Sequence, residues 1–162
     1  MRWQQQWWSG LVAAMLGGLV GVTAVAAAGA QFLPVLVIRE GATRSLIIPQ
    51  ANAYIDYLTL LNERDGGING VPLVWEECET VYDVTRGVEC YERLKGKGPT
   101  GAAAFHPFST PLTYALTERV THDKIPLLTI GYGRSDAADG RVFPYVFNPP
   151  SHSWSITLQR HL

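Results

Sequence analysis

The chain has 162 residues, a formal net charge of −1 and a hydrophobic fraction of 47%. That length allows at most one ordinary domain, and that hydrophobic fraction excludes disorder for most of the chain. The sequence has no cluster of lysines and arginines and no interleaving of basic with aromatic residues, so nucleic acid is not an expected partner.

The amino terminus is typical of an export signal. Arg2 is its only charge, and residues 11–28 are nearly all apolar and small. Either Ala26-Ala27-Ala28 or Ala28-Gly29-Ala30 offers a small-x-small cleavage pattern. We therefore predict that residues 1–30 are a signal peptide and that the mature chain, starting near Gly29 or Gln31, lies in the periplasm. The alternative is a retained membrane anchor, because the apolar stretch approaches the length that spans a bilayer.

The first half of the mature chain predicts a strand, a helix and a second strand. Residues 33–38 form a continuous apolar run, which is typical of a strand buried on both faces. Pro49 opens a helix with apolar residues at helical spacing, and Gly66-Gly67 ends it. The Asn69-Gly70 turn then leads into a strand over residues 71–75.

The same alternation continues to the end of the chain. Asp83 caps a predicted helix that runs through Lys95. The remaining predicted elements are a strand over 101–105, a helix beginning at Pro111, strands over 125–130 and 142–147, and a helix over 154–162. This pattern predicts an α/β fold with a doubly wound parallel sheet and helices on both of its faces.

Cys78 and Cys90 are the two cysteines of the chain. In an oxidising compartment a disulfide is the favoured interpretation of such a pair. A free buried pair stays open, because the sequence does not show how closely the two Cα atoms approach. The four histidines have no metal-ligand spacing with either cysteine, so neither a metal nor a cofactor is predicted.

Ligands of doubly wound sheets collect beyond the carboxyl ends of the strands. Three loops are predicted there, over residues 39–45, 106–110 and 131–135. Ser109 and Thr110 directly precede Pro111, so their hydroxyls and the free N–H groups of the helix would receive a carboxylate. The alternative is that Ser109 or Thr110 simply caps the helix, and the sequence alone favours capping.

The third loop contains two glycines around a tyrosine. Gly131 and Gly133 would let backbone N–H groups approach a small ligand, with Tyr132 as a pocket wall and Arg134 as a partner for an anion. A surface turn with Arg134 paired to a nearby aspartate is an equal alternative.

Catalytic chemistry has weak support in the sequence. His106 lies near Ser109, but no Gly-x-Ser-x-Gly elbow exists to expose a serine nucleophile. The acidic residues Glu76, Glu77 and Glu79 would alternate between strand faces and are expected to be solvated. The chain is therefore predicted not to be an enzyme.

A set of short stretches carries a family resemblance: residues 56–58, 61–70, 77–80, 90–94, 124–127 and 131–134, among which Gly66-Gly67-Ile68-Asn69-Gly70 is fairly specific. They resemble the periplasmic substrate-binding proteins of branched-chain amino-acid-type ABC transporters, of the leucine-binding type. The similarity covers essentially the whole mature chain. It implies a fold of two α/β lobes that close over a small solute and deliver it to a membrane permease.

The resemblance also implies a division of the chain and a binding site. Residues 31–150 correspond to the first lobe and residues 151–162 to the start of a second, truncated lobe, so the chain is expected to be an amino-terminal fragment. Ser109 falls where a hydroxyl contacts the ligand carboxylate, and Gly131 and Gly133 fall on the loop that contacts its head group. Tyr132 and Arg134 differ from the leucine-type pattern, which argues against leucine, isoleucine or valine as the solute. The expected solute is an amino acid, an amide or a urea-class compound.

Two other functions are weighed beside transport. The same two-lobed architecture serves as a ligand-sensing module in regulatory receptors. A secreted α/β hydrolase that uses Ser109 and His106 is the third possibility.

Overall fold

The computed structural model of the protein describes residues 29–129 and 139–148. Its strands and helices, in chain order, are β1 (Gln31–Val37), α1 (Arg44–Asp65), β2 (Leu73–Glu79), α2 (Val84–Leu94), α3 (Thr110–Asp123), β3 (Leu127–Leu128) and β4 (Val146–Phe147). Within these two ranges, no helix combines the length and the apolar character needed to cross a bilayer. Most of the predicted signal peptide and the predicted helix over 154–162 lie outside the described residues.

The strands are parallel and their order matches a doubly wound sheet. β1 pairs with β2 from Gln31 opposite Leu73 to the far end of both strands, and β3 pairs with β4. The segment 102–105 lies between the two pairs, because Ala102 bridges β1 and Phe105 bridges β3, both in parallel. The order across the molecule is therefore β2, β1, segment 102–105, β3 and β4, which confirms the predicted fold class.

The predicted strand over 101–105 is not a regular strand in the structure. Residues 102–105 form single bridges at their two ends instead of a continuous ladder of hydrogen bonds. Gly101 has a positive φ of 81°, so the chain enters the segment in a conformation that a regular strand does not use. β3 and β4 are also shorter than predicted. Pro126 and Pro144, which precede them, have no N–H group to donate to a ladder.

Helix α1 begins at Arg44, five residues before the predicted start at Pro49. The rule that proline favours the first helical turn therefore placed the boundary too late, because Pro49 lies inside this helix. The predicted end is right: Gly66 adopts the left-handed conformation, and its N–H and that of Gly67 donate to carbonyls of the last turns. β2 runs on to Glu79 rather than ending at Trp75, because its pairing with β1 continues.

Two clusters of buried side chains cover the two faces of the sheet. One face packs against α2 and α3 through a cluster that includes Phe32, Leu36, Tyr91, Phe105 and Leu116. The other face packs against α1 through Val35, Val37, Ala51, Leu58 and Leu73. Because successive residues of β1 point to opposite faces, this one strand contributes to both clusters. Helices therefore lie on both faces, as the sequence predicts.

Candidate functional site

The carboxyl ends of the strands bring together the starts of α1 and α3 and the loops that precede them. Two of the three predicted ligand loops, residues 39–45 and 106–110, belong to the described part of the chain. Gly131, Tyr132, Gly133 and Arg134, on the third loop, lie outside it, so their predicted roles stay predictions.

Ser109 is the N-cap of α3. Its Oγ accepts the backbone N–H of Leu112 at 3.3 Å, and its carbonyl accepts the N–H and the hydroxyl of Thr113, each at 2.9 Å. The residue is 3% exposed. The hydroxyl thus performs the capping that the sequence favours, since a serine oxygen at this position satisfies one of the free N–H groups of the first turn. Thr110, the first residue of α3, is half-buried beside it.

An aromatic cluster lies next to this cap. The ring of His106 is 4.8 Å from that of Phe108 and 6.4 Å from that of Tyr54 on α1, measured between centroids. Burial lowers the pKa of the His106 imidazole and raises the pKa of the Tyr54 hydroxyl, because removal from water disfavours both charged forms. Both groups are therefore neutral at pH 7.

Tyr54 lies on α1 and His106 lies in the loop after Ala104, and no sequence pattern relates the two residues. Only packing across the sheet edge brings Tyr54 to His106. Within the described ranges, no hydrogen bond joins His106 to Ser109, whose hydroxyl oxygen is engaged with Leu112. The serine–histidine contact that the hydrolase hypothesis needs is thus not present in this conformation.

The loop after β1 carries an arginine that is fully engaged. The guanidinium of Arg39 donates to both carboxylate oxygens of Glu77, at 2.6 and 3.0 Å, and to the amide oxygen of Asn52 at 2.7 Å. This hydrogen bonding to Glu77 raises the pKa of Arg39. The backbone N–H of Arg39 donates to Glu79. Arg39 thus joins the end of β1 to β2 and α1.

The acidic cluster of β2 is paired rather than simply solvated. Glu76 lies on the other face from Glu77 and forms ion pairs with Arg93 and Lys97. Hydrogen bonds from Lys97 and then Arg93 lower the pKa of Glu76. The predicted alternation of faces is therefore right, while the prediction of solvated carboxylates misses their cationic partners on α2 and after it.

Thr129 fixes the base of the third loop. It is 7% exposed, its N–H donates to the carbonyl of Phe147 at 3.0 Å, and its hydroxyl donates to the side-chain oxygen of Asn148. This pair could not be predicted from the sequence, because the two residues are brought together by the pairing of β3 with β4.

Cys78 on β2 and Cys90 on α2 are joined in a disulfide, with their Cα atoms 5.9 Å apart. This separation lies within the range that the bond requires. Among the described residues, no group of three or more histidines, cysteines, aspartates and glutamates is arranged to hold a metal ion.

The comparison with known proteins decides the family. A family profile described as periplasmic binding protein matches residues 13–158, which is most of the chain. The chain belongs to the periplasmic binding protein family. Comparison with curated proteins finds no match.

Solved structures of related proteins agree with this family. A crystal structure described as an ABC transporter permease from the Pseudomonas fluorescens group is 46% identical, with a TM-score of 0.74, and the match covers 78% of this chain and 31% of that one. An ABC transporter substrate-binding protein from Desulfitobacterium hafniense, in complex with Leu, is 16% identical, with a TM-score of 0.64 and coverages of 80% and 37%. A fatty acid ABC transporter substrate-binding protein from Thermomonospora curvata is 21% identical, with a TM-score of 0.57 and coverages of 64% and 26%.

This member of the family spans about a third of the length of these structures. The last two share its fold at low identity. Their descriptions name different ligands, so the fold itself does not fix the solute.

Proposed function

We propose that this chain forms the first lobe of an extracytoplasmic solute-binding protein that delivers a small solute to an ABC transporter permease. The observation that carries the proposal is the family match over residues 13–158. In this proposal residues 31–150 are the first lobe, and residues 151–162 begin a second lobe. Closure of the two lobes around the solute would create the form that the permease recognises.

The proposed solute is an amino acid, an amide or a urea-class compound, bound at the carboxyl edge of the sheet. Ser109 and Thr110 at the start of α3 would meet its carboxylate or carbonyl oxygen, because free N–H groups and the helix dipole favour negative charge there. The backbone of Gly131 and Gly133 would contact its polar head group, with Tyr132 and Arg134 beside it. The neutral aromatic cluster of Tyr54, His106 and Phe108 lies next to Ser109 and supports an apolar wall at this position.

We also propose that the protein works without catalysis and in the periplasm. The capped and buried state of Ser109 supports a binding role over a nucleophilic one. Residues 1–30 would act as the signal peptide. Sequencing the amino terminus of the exported protein tests this, with Gly29 or Gln31 as the expected first residue and retention of Met1 as the contradictory result.

Calorimetric titration of the protein expressed from its complete reading frame tests the proposed ligand class. The titrants are amino acids with apolar, polar and charged side chains, short amides and urea. We expect one of these groups to bind with a saturable heat signal. An absence of binding to all of them would exclude the proposed solute class while leaving the family assignment intact.

Variants of Ser109 separate ligand contact from capping. Ser109→Asp keeps a capping oxygen, but its carboxylate repels the carboxylate or carbonyl oxygen of the ligand and weakens binding at least about tenfold. Because Ser109 is 3% exposed, the added charge also lowers the thermal stability. Ser109→Ala is expected to lose about 1 kcal/mol of stability. Asp83→Ala, which removes the cap of α2, is the matched control: it should lose similar stability and keep its affinity. Unchanged affinity in Ser109→Asp would show that Ser109 acts only as a cap.

A further inference from the structure

A cavity of about 420 Å³ opens beside the Cys78–Cys90 disulfide. Its lining residues come from the end of β2 and from one side of α2: Cys78, Glu79, Arg86, Glu89, Cys90 and Arg93. Both cysteines contribute to the wall, although Cys90 is buried and Cys78 is half-buried. A molecule in the cavity would therefore reach the disulfide from the side of Cys78.

Two arginines give the cavity a cationic side. One guanidinium nitrogen of Arg93 lies 2.9 Å from Sγ of Cys78, while another pairs with Glu76. Arg86 lies two helical turns earlier on α2, and its guanidinium has no partner within residues 29–129 and 139–148. It is thus available to a molecule that enters the cavity.

The two carboxylates that line the cavity, those of Glu79 and Glu89, differ in how they affect the positive charge of its arginines. Glu79 accepts the backbone N–H groups of Arg39 and Val81, each at 2.7 Å, so its oxygens are already held by donors outside the cavity. Glu89 is exposed to solvent, as Arg86 is, so water and salt screen both of these charges to a similar extent. The strongest charge next to a sulfur atom is therefore the guanidinium of Arg93.

We propose that this cavity is a thiol–disulfide exchange site for a small thiol that carries carboxylates. The carboxylates would pair with Arg86 and Arg93, and this pairing would hold the thiol against Cys78. The proposal is independent of the solute site, which lies at the start of α1 and α3.

The exchange proceeds in two displacements. The thiolate of the small molecule attacks Sγ of Cys78, a mixed disulfide forms, and the bond to Cys90 breaks with its electron pair leaving on Cys90, which then takes a proton from water. A second small thiolate attacks the mixed disulfide at the sulfur of the bound thiol. This step releases the oxidised small-molecule disulfide and leaves Cys78 as a thiolate next to the Arg93 guanidinium, which stabilises it. Two small thiols are oxidised and one protein disulfide is reduced.

The rate at which different thiols open the disulfide in the native protein tests this site. Reduced glutathione carries carboxylates, 2-mercaptoethanol is uncharged and cysteamine is cationic. The three are compared at equal thiolate concentration, with alkylation of the released thiols and mass spectrometry as the readout. We expect glutathione to react fastest and cysteamine slowest, and the difference to shrink as salt is added.

Arg86→Gln is the most informative variant, because the Arg86 side chain has no other described contact to lose. We expect this variant to lower the rate of disulfide opening by glutathione about two- to fivefold, which is the effect of removing one exposed ionic contact. The rate of opening by 2-mercaptoethanol should not change. Arg93→Gln should slow glutathione as well. Arg119→Gln is the matched control, since Arg119 is a similarly exposed arginine that lines a different cavity.

Three results would overturn the proposal. The first is that the ratio of the glutathione rate to the 2-mercaptoethanol rate is the same in the native sequence and in Arg86→Gln. The second is that all three thiols open the disulfide at the same rate and that this rate rises with urea, which would mean that the disulfide is reached only by unfolding. The third is a first mixed disulfide on Cys90, which would contradict attack at Cys78.

Discussion

At the scale of single residues, one carboxylate, that of Asp123, joins the carboxyl-terminal ends of α2 and α3 through several hydrogen bonds. Asp123 accepts hydrogen bonds from Lys95 at 2.8 Å and from the Tyr91 hydroxyl at 2.7 Å, and its other oxygen lies 2.9 Å from the His122 ring. These bonds, led by that of Lys95, hold the pKa of Asp123 well below its usual range. Burial, followed by the bond to Asp123, raises the pKa of Tyr91.

Asp123→Asn is expected to destabilise the fold in a pH-dependent way. A lowered folded-state pKa favours the ionised form, so this stabilisation is fully present above the unfolded value of about 4 and is lost as pH falls below it. We expect the variant to lose about 1 kcal/mol at pH 7, since Lys95 is one-third exposed, and the difference from the native sequence to shrink below pH ~4. Urea denaturation across this pH range measures it.

Asp65→Asn serves as the control for this prediction, because Asp65 pairs with its exposed neighbour Arg64. It should change the unfolding midpoint little at any pH. A pH-independent loss in Asp123→Asn would mean that the carboxylate contributes through packing and not through its charge.

Contacts between residues far apart in sequence explain why some residue roles could not be predicted. The Tyr91 side chain is buried on α2, but its hydroxyl partner lies 32 residues later on α3. Arg39 and Glu77 are likewise 38 residues apart in sequence. Capping by Ser109 is predicted because donor and acceptor lie within one helical turn. Local patterns thus identify the cap, whereas pairs between elements require the packed structure.

At the scale of elements, the turn between α1 and β2 combines two glycines with different constraints. Gly66 ends the helix in the left-handed region, and a Cβ added there meets no atom within 4 Å. Gly67 also has positive φ, but a Cβ there would lie 1.9 Å from the carbonyl oxygen of Val71. The Ile68–Val71 bridge holds that backbone in place through two hydrogen bonds of 3.0 Å.

Gly67→Ala is therefore expected to destabilise the fold much more than Gly66→Ala. Gly66→Ala should cost about 1 kcal/mol for the left-handed conformation alone. Gly67→Ala adds a backbone clash, and we expect a loss of at least about 3 kcal/mol or failure to fold. Thermal denaturation of the two variants makes the comparison, and equal losses would show that the turn relaxes around the new methyl group.

The two ends of α1 show which local sequence features predict a helix boundary correctly. Glycine marks the end of α1 correctly because the positive φ is a strict backbone requirement. Proline marks its start wrongly, because Pro49 is also tolerated inside a helix whose following turns pack Ala51 and Leu58 against the sheet. The segment 102–105 is similar: an extended segment is predicted there, but its incomplete ladder depends on Gly101 and on the neighbouring strands.

At the scale of the whole molecule, β1 connects the two clusters of buried side chains and β2 lies at the edge of the described sheet. The parallel direction of the strands could be predicted from the alternation of elements, since parallel strands require crossovers. Their order across the sheet is known only from the pairing in the structure. The neighbours of the proposed solute site could not be predicted, because Tyr54 reaches His106 through a loop whose course depends on the packing of α1 and α3.

The disulfide fixes the edge strand β2 to α2, and its removal tests what it contributes to the whole fold. The two cysteines are separated by 12 residues, and closing a loop of about this size in the unfolded chain stabilises the fold by about 3 kcal/mol. We expect the double substitution Cys78→Ala and Cys90→Ala to lower the free energy of unfolding by about 2–4 kcal/mol, measured by urea denaturation.

The native sequence with its disulfide reduced is the matched control. If the loss comes from the unfolded chain, both proteins should unfold at nearly the same urea concentration. A double variant that keeps the full stability would show instead that the pairing of β2 with β1, together with Glu77–Arg39, holds the edge strand without the covalent link.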